Sequence, residues 1–190
     1  PLMQPERMQK RIEEAKEWFK GSKMTRETDE GEVPRVYYHD SPSIFERFDP
    51  TKIGTTTDGG YLGRGFYFSA WPGGGVYGRN QYAVLLNLKN PIKNIDRFID
   101  EHFGKDLSVE DVGPTELTRK ALELGYDGVD AGGEAVAFKP ESIRVIGKRD
   151  ATAEMPFYSL SPFVPNSPWF SKLQEEIVKD HANWPYRIDG

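Results

Sequence analysis

The sequence predicts an α+β fold, in which short strands and amphipathic helices are joined by glycine-rich turns. Residues 5–19, 95–103 and 115–124 have apolar side chains at helical spacing, and each segment is followed within two residues by a glycine. The expected strands are short apolar or aromatic runs at residues 35–39, 66–68, 82–88, 126–130, 134–138 and 143–146. No internal repeat links these segments, so we expect one domain rather than a repeat array.

The composition fits one folded domain with exposed ends. Of the 190 residues, 37% are hydrophobic and 29% are charged, so the expected core is modest. The net charge is −5 without a long Lys/Arg run, which argues against nucleic-acid binding through a broad basic surface but leaves a local patch open. The lack of cysteine excludes disulfides, thiolate catalysis and cysteine-held metals. No membrane-length apolar run or signal peptide is visible, so we expect a cytoplasmic protein without membrane contact.

Shifts in composition divide the chain into three parts. Residues 1–22 form the N-terminal helix, residues 23–150 the folded domain, and residues 151–190 an extended tail that includes a helix at 169–181. The polar residues 22–33 are expected to form a loop. The tail is rich in proline, serine and aromatic residues, so we expect it to dock on the domain or to offer a partner surface.

A glycine-rich loop leads into three consecutive aromatic residues. Residues 51–64 are rich in Gly and Thr, a composition found in loops that cover ligands. In the strand that follows, Tyr67 faces opposite to Phe66 and Phe68. A tyrosine alone on one face can stack against a flat group, and the alternative is an edge strand with Tyr67 in the core. A dinucleotide-binding Rossmann turn is not expected, because no helix pattern follows the glycines.

Three polar residues stand beside turns at the ends of expected strands: His39, Tyr67 and Glu134. Taken singly, each fits an ordinary structural role as a strand-end histidine, a core tyrosine or an exposed glutamate. The three histidines of the chain lie far apart, and no spacing typical of metal ligands occurs. A metal site is therefore not expected.

Five sequence blocks follow one another in an order that resembles a known family. The blocks are residues 37–41 (YYHDS), 45–49 (FERFD), 63–69 (GRGFYFS), 124–128 (LGYDG) and 134–143 (EAVAFKPESI). They resemble the ADP-ribosyltransferases of the branch that contains diphtheria toxin and the poly(ADP-ribose) polymerases, whose signature is His-Tyr-Glu. Within this branch the chain is most similar to the small domains of bacteriophage and mobile-element polyvalent proteins. Their leading Trp-Phe-Gly-x-Ser-Lys segment resembles residues 18–23 (WFKGSK).

The resemblance implies a split β-sandwich of two small sheets with flanking helices. It implies a mono-ADP-ribosyltransferase that cleaves the nicotinamide–ribose bond of its co-substrate NAD without a metal. The acceptor of the ADP-ribose is unidentified. A protein is favoured, and a bacteriophage or toxin-like role implies a host macromolecule and delivery into a host cell. The alternative is a catalytically weak domain of this fold that acts as a binding module or as a structural domain of a virion.

The resemblance also assigns roles to individual residues. His39 would bind the ribose on the adenosine side, Tyr67 would stack on nicotinamide, and Glu134 would contact the nicotinamide ribose and stabilise the developing cation. The residues that it places against NAD are His39, Asp40, Ser41, Gly65, Tyr67, Tyr77 and Tyr82.

Two positions depart from the family pattern. The family usually has a glycine after the histidine, where backbone groups bind the nicotinamide carboxamide, and this chain has Asp40. A second tyrosine normally completes a sandwich around nicotinamide. Tyr77 fits the usual spacing, whereas Tyr82, which is followed by Ala83, fits the local pattern better. Tyr82 is the preferred candidate from the sequence.

Overall fold

The α+β class is confirmed by a computed structural model, which describes residues 5–29, 31–54, 60–72 and 77–150. The expected tail at 151–190, with its helix, lies outside the described residues. The helices are α1 (Pro5–Phe19), α2 (Ile95–His102), α3 (Val109–Val112) and α4 (Pro114–Glu123). The strands are β1 (Thr25–Thr28), β2 (Gly31–Pro34), β3 (Val36–Ser41), β4 (Phe66–Ser69), β5 (Asn80–Leu86), β6 (Pro91–Ile92), β7 (Gly128–Asp130), β8 (Glu134–Ala137) and β9 (Ile143–Asp150).

The described strands form one large sheet and one small one. The large sheet has the order β6-β7-β8-β4-β3-β5-β9, and β1 pairs with β2 in the small sheet. All neighbouring strands are antiparallel except β6 and β7. The aromatic strand β4 is therefore central in the sheet and is not the edge strand that the sequence left as an alternative.

The large sheet is divided between β3 and β4. β3 pairs with β5 along its whole length, as does β4 with β8. Between β3 and β4 the register holds a single pair, Tyr38 opposite Ser69. We call this boundary the seam. It separates a half made of β6, β7, β8 and β4 from a half made of β3, β5 and β9.

Buried side chains cover both faces of each half. The inner group combines Tyr82 and Val84 of β5 with Phe66 and Phe68 of β4, so the two halves curl around a shared core. On the outer face of the β3-β5-β9 half, α1 packs through residues such as Phe19. On the outer face of the other half, α2 and α4 pack against β7 and β8. The curl removes apolar surface of both halves from water, which is the main stabilising term in folding.

The expectation of a loop over residues 22–33 is wrong, because β1 and β2 form a hairpin there. Arg26 lies opposite Val33 in this hairpin, and the Thr25 hydroxyl donates a hydrogen bond to the Glu32 carboxylate. The first strand carries only polar side chains, so it lacks the apolar alternation by which strands are recognised in sequences. Cross-strand polar pairs stabilise it instead.

Candidate active site

The sheet order places the three candidate residues on neighbouring strands. His39 lies on β3, Tyr67 on β4 and Glu134 at the start of β8, with β4 between the other two strands. Ser69 is paired with both Tyr38 and Glu134, so these three residues form one row across the sheet. His39 and Tyr67 follow within two residues of that row. The structure therefore places on three consecutive strands three residues that are far apart in the sequence, with the His39 side chain on the opposite face from those of Tyr67 and Glu134.

His39 bridges the seam at the point where the ladder between β3 and β4 ends. Its Nδ1 lies 2.8 Å from the backbone oxygen of Tyr67. A carbonyl oxygen only accepts hydrogen bonds, so Nδ1 carries the hydrogen and Nε2 of the neutral ring is an acceptor. The rings of Phe45, Phe48 and Phe68 surround the imidazole at centroid distances of 6.1, 5.2 and 5.7 Å. This packing fixes the orientation of the half-buried His39 ring.

The Tyr67 side chain is held at the mouth of the glycine-rich loop. Tyr67 is half-buried while its strand neighbours are buried, so the predicted alternation of faces is confirmed. Its hydroxyl donates to the Gly63 oxygen at 2.6 Å and accepts from the Leu62 nitrogen at 3.0 Å. The ring of Tyr61, which is 47% exposed, lies 5.8 Å from the Tyr67 ring. Sequence analysis missed Tyr61, although an aromatic residue within a glycine-rich loop was a usable signal.

The end of the glycine-rich loop is anchored on α4. Thr118 Oγ1 accepts a hydrogen bond from the Arg64 nitrogen at 2.7 Å and donates one to the Arg64 oxygen at 3.1 Å. Gly63 has φ of 100°, and a Cβ there would lie 2.8 Å from Thr118 Oγ1. At Gly65 a Cβ would lie 2.5 Å from Val136 Cγ1, so this glycine is required for close packing on β8. These contacts position β4 for its role at the seam.

Glu134 is exposed, and its backbone is fixed on both sides. The Glu134 oxygen accepts from the Ala131 nitrogen at 2.9 Å, and the preceding Gly133 oxygen accepts from the Ala70 nitrogen at 2.9 Å. Strand alternation places Glu134 on the same face of the sheet as Tyr67. Val136 on this face is buried against α2 and α4, so the exposed Glu134 carboxylate can act on a ligand that is bound at the start of β8.

Asp40 points away from His39. Successive strand residues face opposite sides, and the Asp40 carboxylate accepts a hydrogen bond from Gln81 Nε2 at 2.7 Å. Gln81 is fully buried, so this contact holds the carboxylate within the β3-β5 surface. The hydroxyl of the neighbouring Ser41 accepts from the Ser43 nitrogen at 3.1 Å. Both side chains serve the local structure, and their backbone groups are the parts suited to contact a ligand.

The two candidates for the second stacking tyrosine have opposite environments. Tyr82 is 1% exposed, Phe45 stacks on it at a centroid distance of 4.2 Å, and its hydroxyl bonds to both backbone groups of Phe45. Tyr77 is 64% exposed, and Gly78 beside it packs closely on the Ser41 backbone. The sequence preference for Tyr82 is not supported by this geometry, because its ring is built into the core. Tyr77 has an exposed ring next to Gly78, which packs at the end of β3.

Comparisons with known proteins found no relative of this chain. No family model matches the chain, and neither a curated protein nor a solved structure does so. Among the described residues, no group of three or more His, Cys, Asp or Glu side chains could hold a metal ion. In the same part of the chain, no helix combines the length and the apolar character needed to cross a membrane. The functional interpretation therefore depends on the seam residues themselves.

Proposed function

We propose that this chain is an NAD-dependent mono-ADP-ribosyltransferase, which cleaves the nicotinamide–ribose bond and transfers ADP-ribose to an acceptor macromolecule. The observation that carries this proposal is the placement of His39, Tyr67 and Glu134 on three consecutive strands, with His39 bonded across the seam to the Tyr67 backbone. The finer fold proposed is the split β-sandwich of the ADP-ribosyltransferases. Two features support it: the single residue pair between β3 and β4, and the core shared by the two halves.

The chemistry of NAD cleavage requires few groups, and the seam offers them. The nicotinamide leaving group is already cationic, so its departure needs no strong acid. The developing oxocarbenium ion needs a nearby negative charge, which the exposed Glu134 carboxylate supplies. The Tyr67 and Tyr77 rings can hold nicotinamide, with Tyr61 as a further aromatic surface. His39 Nε2 can accept a hydrogen bond from a hydroxyl of the adenosine-side ribose.

Asp40 does not argue against NAD binding in this arrangement. A side chain after the histidine would obstruct the nicotinamide carboxamide only if it pointed into the site. Strand alternation puts Asp40 on the same face as Tyr67 and Glu134, but its carboxylate accepts a hydrogen bond from Gln81 Nε2 and is therefore held toward β5, away from β4. The backbone at this position keeps its capacity to bind the carboxamide. The presence of His39, Tyr67 and Glu134 together is what favours the active enzyme over a weak binding or virion structural domain.

The experiment that tests the proposal measures nicotinamide release. The protein is incubated with NAD that is labelled in its adenylate phosphate, with and without host lysate, and nicotinamide is quantified by chromatography. We expect release in both samples and transfer of label to a macromolecule in the lysate. A folded protein that releases no nicotinamide under either condition would contradict the proposal. Release without transfer would reduce the activity to NAD hydrolysis.

A further inference from the structure

An exposed tryptophan lies directly beside the candidate catalytic glutamate. Trp71 follows the end of β4 and is 44% exposed. Its indole edge lies against Gly133, where a Cβ would be 2.9 Å from Trp71 Cζ3. The hydrogen bond from the Ala70 nitrogen to the Gly133 oxygen fixes the two backbones together. The indole is therefore anchored one residue away from Glu134 and has exposed aromatic surface.

An arginine stacks on this tryptophan. The Arg35 guanidinium carbon lies 5.9 Å from the Trp71 ring centroid and 5.6 Å from the Tyr37 ring centroid. Within the described ranges, no carboxylate lies within 4 Å of Arg35. The neighbouring Asp130 carboxylate forms an ion pair with Lys93. The Arg35 guanidinium is thus held in place by two aromatic rings and a hydrogen bond with the Tyr37 side chain, and its charge is available to an anion.

We infer that Arg35 and Trp71 bind the acceptor, and that this acceptor is a single-stranded nucleic acid whose base stacks on Trp71 and whose phosphate pairs with Arg35. The acceptor role rests on the proposed function. A nucleotide carries a flat ring and a full negative charge in one unit, whereas no unmodified amino acid offers both at neutral pH. The net charge of −5 fits a local contact with one or two nucleotides and does not fit a long duplex interface.

Transfer of ADP-ribose to the stacked base breaks one bond and forms one, and Glu134 takes up the proton that is released. The bond between the ribose C1′ and the nicotinamide nitrogen breaks, and neutral nicotinamide leaves with the bonding electron pair. A nitrogen of the stacked base forms a new bond to C1′ and loses its proton to the Glu134 carboxylate, which passes it to water. This assigns Trp71 and Arg35 to acceptor positioning, while the seam residues hold NAD. A nucleic acid replaces the protein acceptor that the family resemblance implies.

Binding is tested first without NAD, by fluorescence anisotropy with a labelled single-stranded DNA of about 12 nucleotides. We expect Trp71→Ala to weaken binding by about fivefold to a hundredfold and Trp71→Phe to restore most of the affinity. Arg35→Gln should weaken binding and lower the slope of log affinity against log salt by about 0.7, the value for one lost phosphate contact. Arg97→Gln is the matched control, because Arg97 is exposed on α2 and paired with Glu101.

DNA binding tests the acceptor site, and nicotinamide release tests the proposed enzyme activity separately. Equal affinity of the folded wild-type and Trp71→Ala proteins for the oligonucleotide would overturn it, as would tighter binding of a phosphotyrosine peptide. Nicotinamide release together with absent DNA binding would overturn the acceptor site and leave the enzyme proposal intact. DNA binding without nicotinamide release would overturn the acceptor role. With labelled NAD, wild-type protein should label the oligonucleotide, and Glu134→Gln should bind it without labelling it.

Discussion

Tyr67 acts through two separate parts of its side chain. Its ring offers an aromatic surface beside Tyr61, and its hydroxyl joins Gly63 to Leu62 in the loop. The sequence predicted the orientation of the ring, because alternation along a strand is a local property. It did not predict the hydroxyl contacts, since these depend on how the loop folds back over β4.

Substitution of Tyr67 should separate these two parts. Tyr67→Ala removes the stacking surface and should weaken NAD binding by about tenfold or more. Tyr67→Phe keeps the ring but loses two hydrogen bonds, each worth about 0.5–1.5 kcal/mol, so its effect on affinity should be smaller and should come with a less stable loop. Calorimetric titration with NAD measures both effects, with Tyr126→Phe as the control. An Ala variant with wild-type affinity would show that Tyr67 does not face NAD.

At His39 the two ring nitrogens have different expected roles, which two amide variants can mimic one at a time. An Asn amide lies near the position of Nδ1 and can keep the hydrogen bond to the Tyr67 oxygen. A Gln amide reaches toward the position of Nε2 and can keep a contact to ribose. We expect His39→Asn to preserve the melting temperature better, and His39→Gln to preserve NAD affinity better. The reverse pattern in melting and titration experiments would contradict the assigned tautomer.

Tyr37 gives the folded protein a predictable sensitivity to alkaline pH. Burial raises the pKa of Tyr37 to about 12, and the nearby negative charge of Asp130 adds to the rise. The unfolded chain ionises near pH 10, so between about pH 10 and pH 12 the unfolded state binds fewer protons and stability falls by about 2 kcal/mol. Below this window the contribution is fully present. Denaturant unfolding at both pH values should show this loss in wild type and in Tyr126→Phe but not in Tyr37→Phe, and an unchanged loss in Tyr37→Phe would contradict it.

At the scale of elements, α4 supports the site through one buried hydroxyl. Thr118 is 8% exposed and satisfies both backbone groups of Arg64, which leads into β4. The sequence predicted α4 from its apolar spacing, but the polar Thr118 gave no sign that it faces the loop. A helix pattern defines which residues share a face and does not define which loop that face will meet.

Thr118→Val should therefore destabilise the loop more than its small change in shape indicates. Valine has the same shape but removes both hydrogen bonds of the hydroxyl. The Arg64 nitrogen keeps the Pro114 oxygen at 3.2 Å as an acceptor, so the expected loss is about 1 kcal/mol in the free energy of unfolding. Thr115→Val on the exposed side of the same helix is the matched control. Denaturant unfolding and hydrogen exchange at the Arg64 amide measure the effect. Equal stability and equal exchange in the two variants would exclude this anchoring role.

At the scale of the whole molecule, local pattern predicted most elements but not their arrangement. Helices α1, α2 and α4 and the core strands lie within a few residues of their expected bounds. The order of the strands could not be derived from periodicity, because pairing joins segments that are distant in sequence. The polar hairpin of β1 and β2 and the short elements β6 and α3 were missed, since none of them has an apolar repeat.

The candidate site residues, like the strand order, could be predicted only in part from local sequence patterns. His39, Tyr67 and Glu134 were proposed from a family pattern, and their neighbourhood on three strands supports that proposal. Arg35 and Trp71 carry no motif, and only folding brings Arg35 over Trp71 and Trp71 against Gly133. The choice between Tyr77 and Tyr82 also depends on burial, which the local sequence pattern does not give.

The role of Glu134 in NAD cleavage is tested most directly by measuring NAD binding and nicotinamide release in Glu134→Gln. The carboxylate matters most where positive charge develops, so its loss should fall on the chemical step. We expect nearly unchanged NAD affinity by calorimetry and nicotinamide release slowed by about a hundredfold or more. Glu141→Gln, an exposed glutamate just beyond β8, should behave as wild type. Comparable rates of release for Glu134→Gln and wild type would contradict the account of this site as an ADP-ribosyltransferase active site.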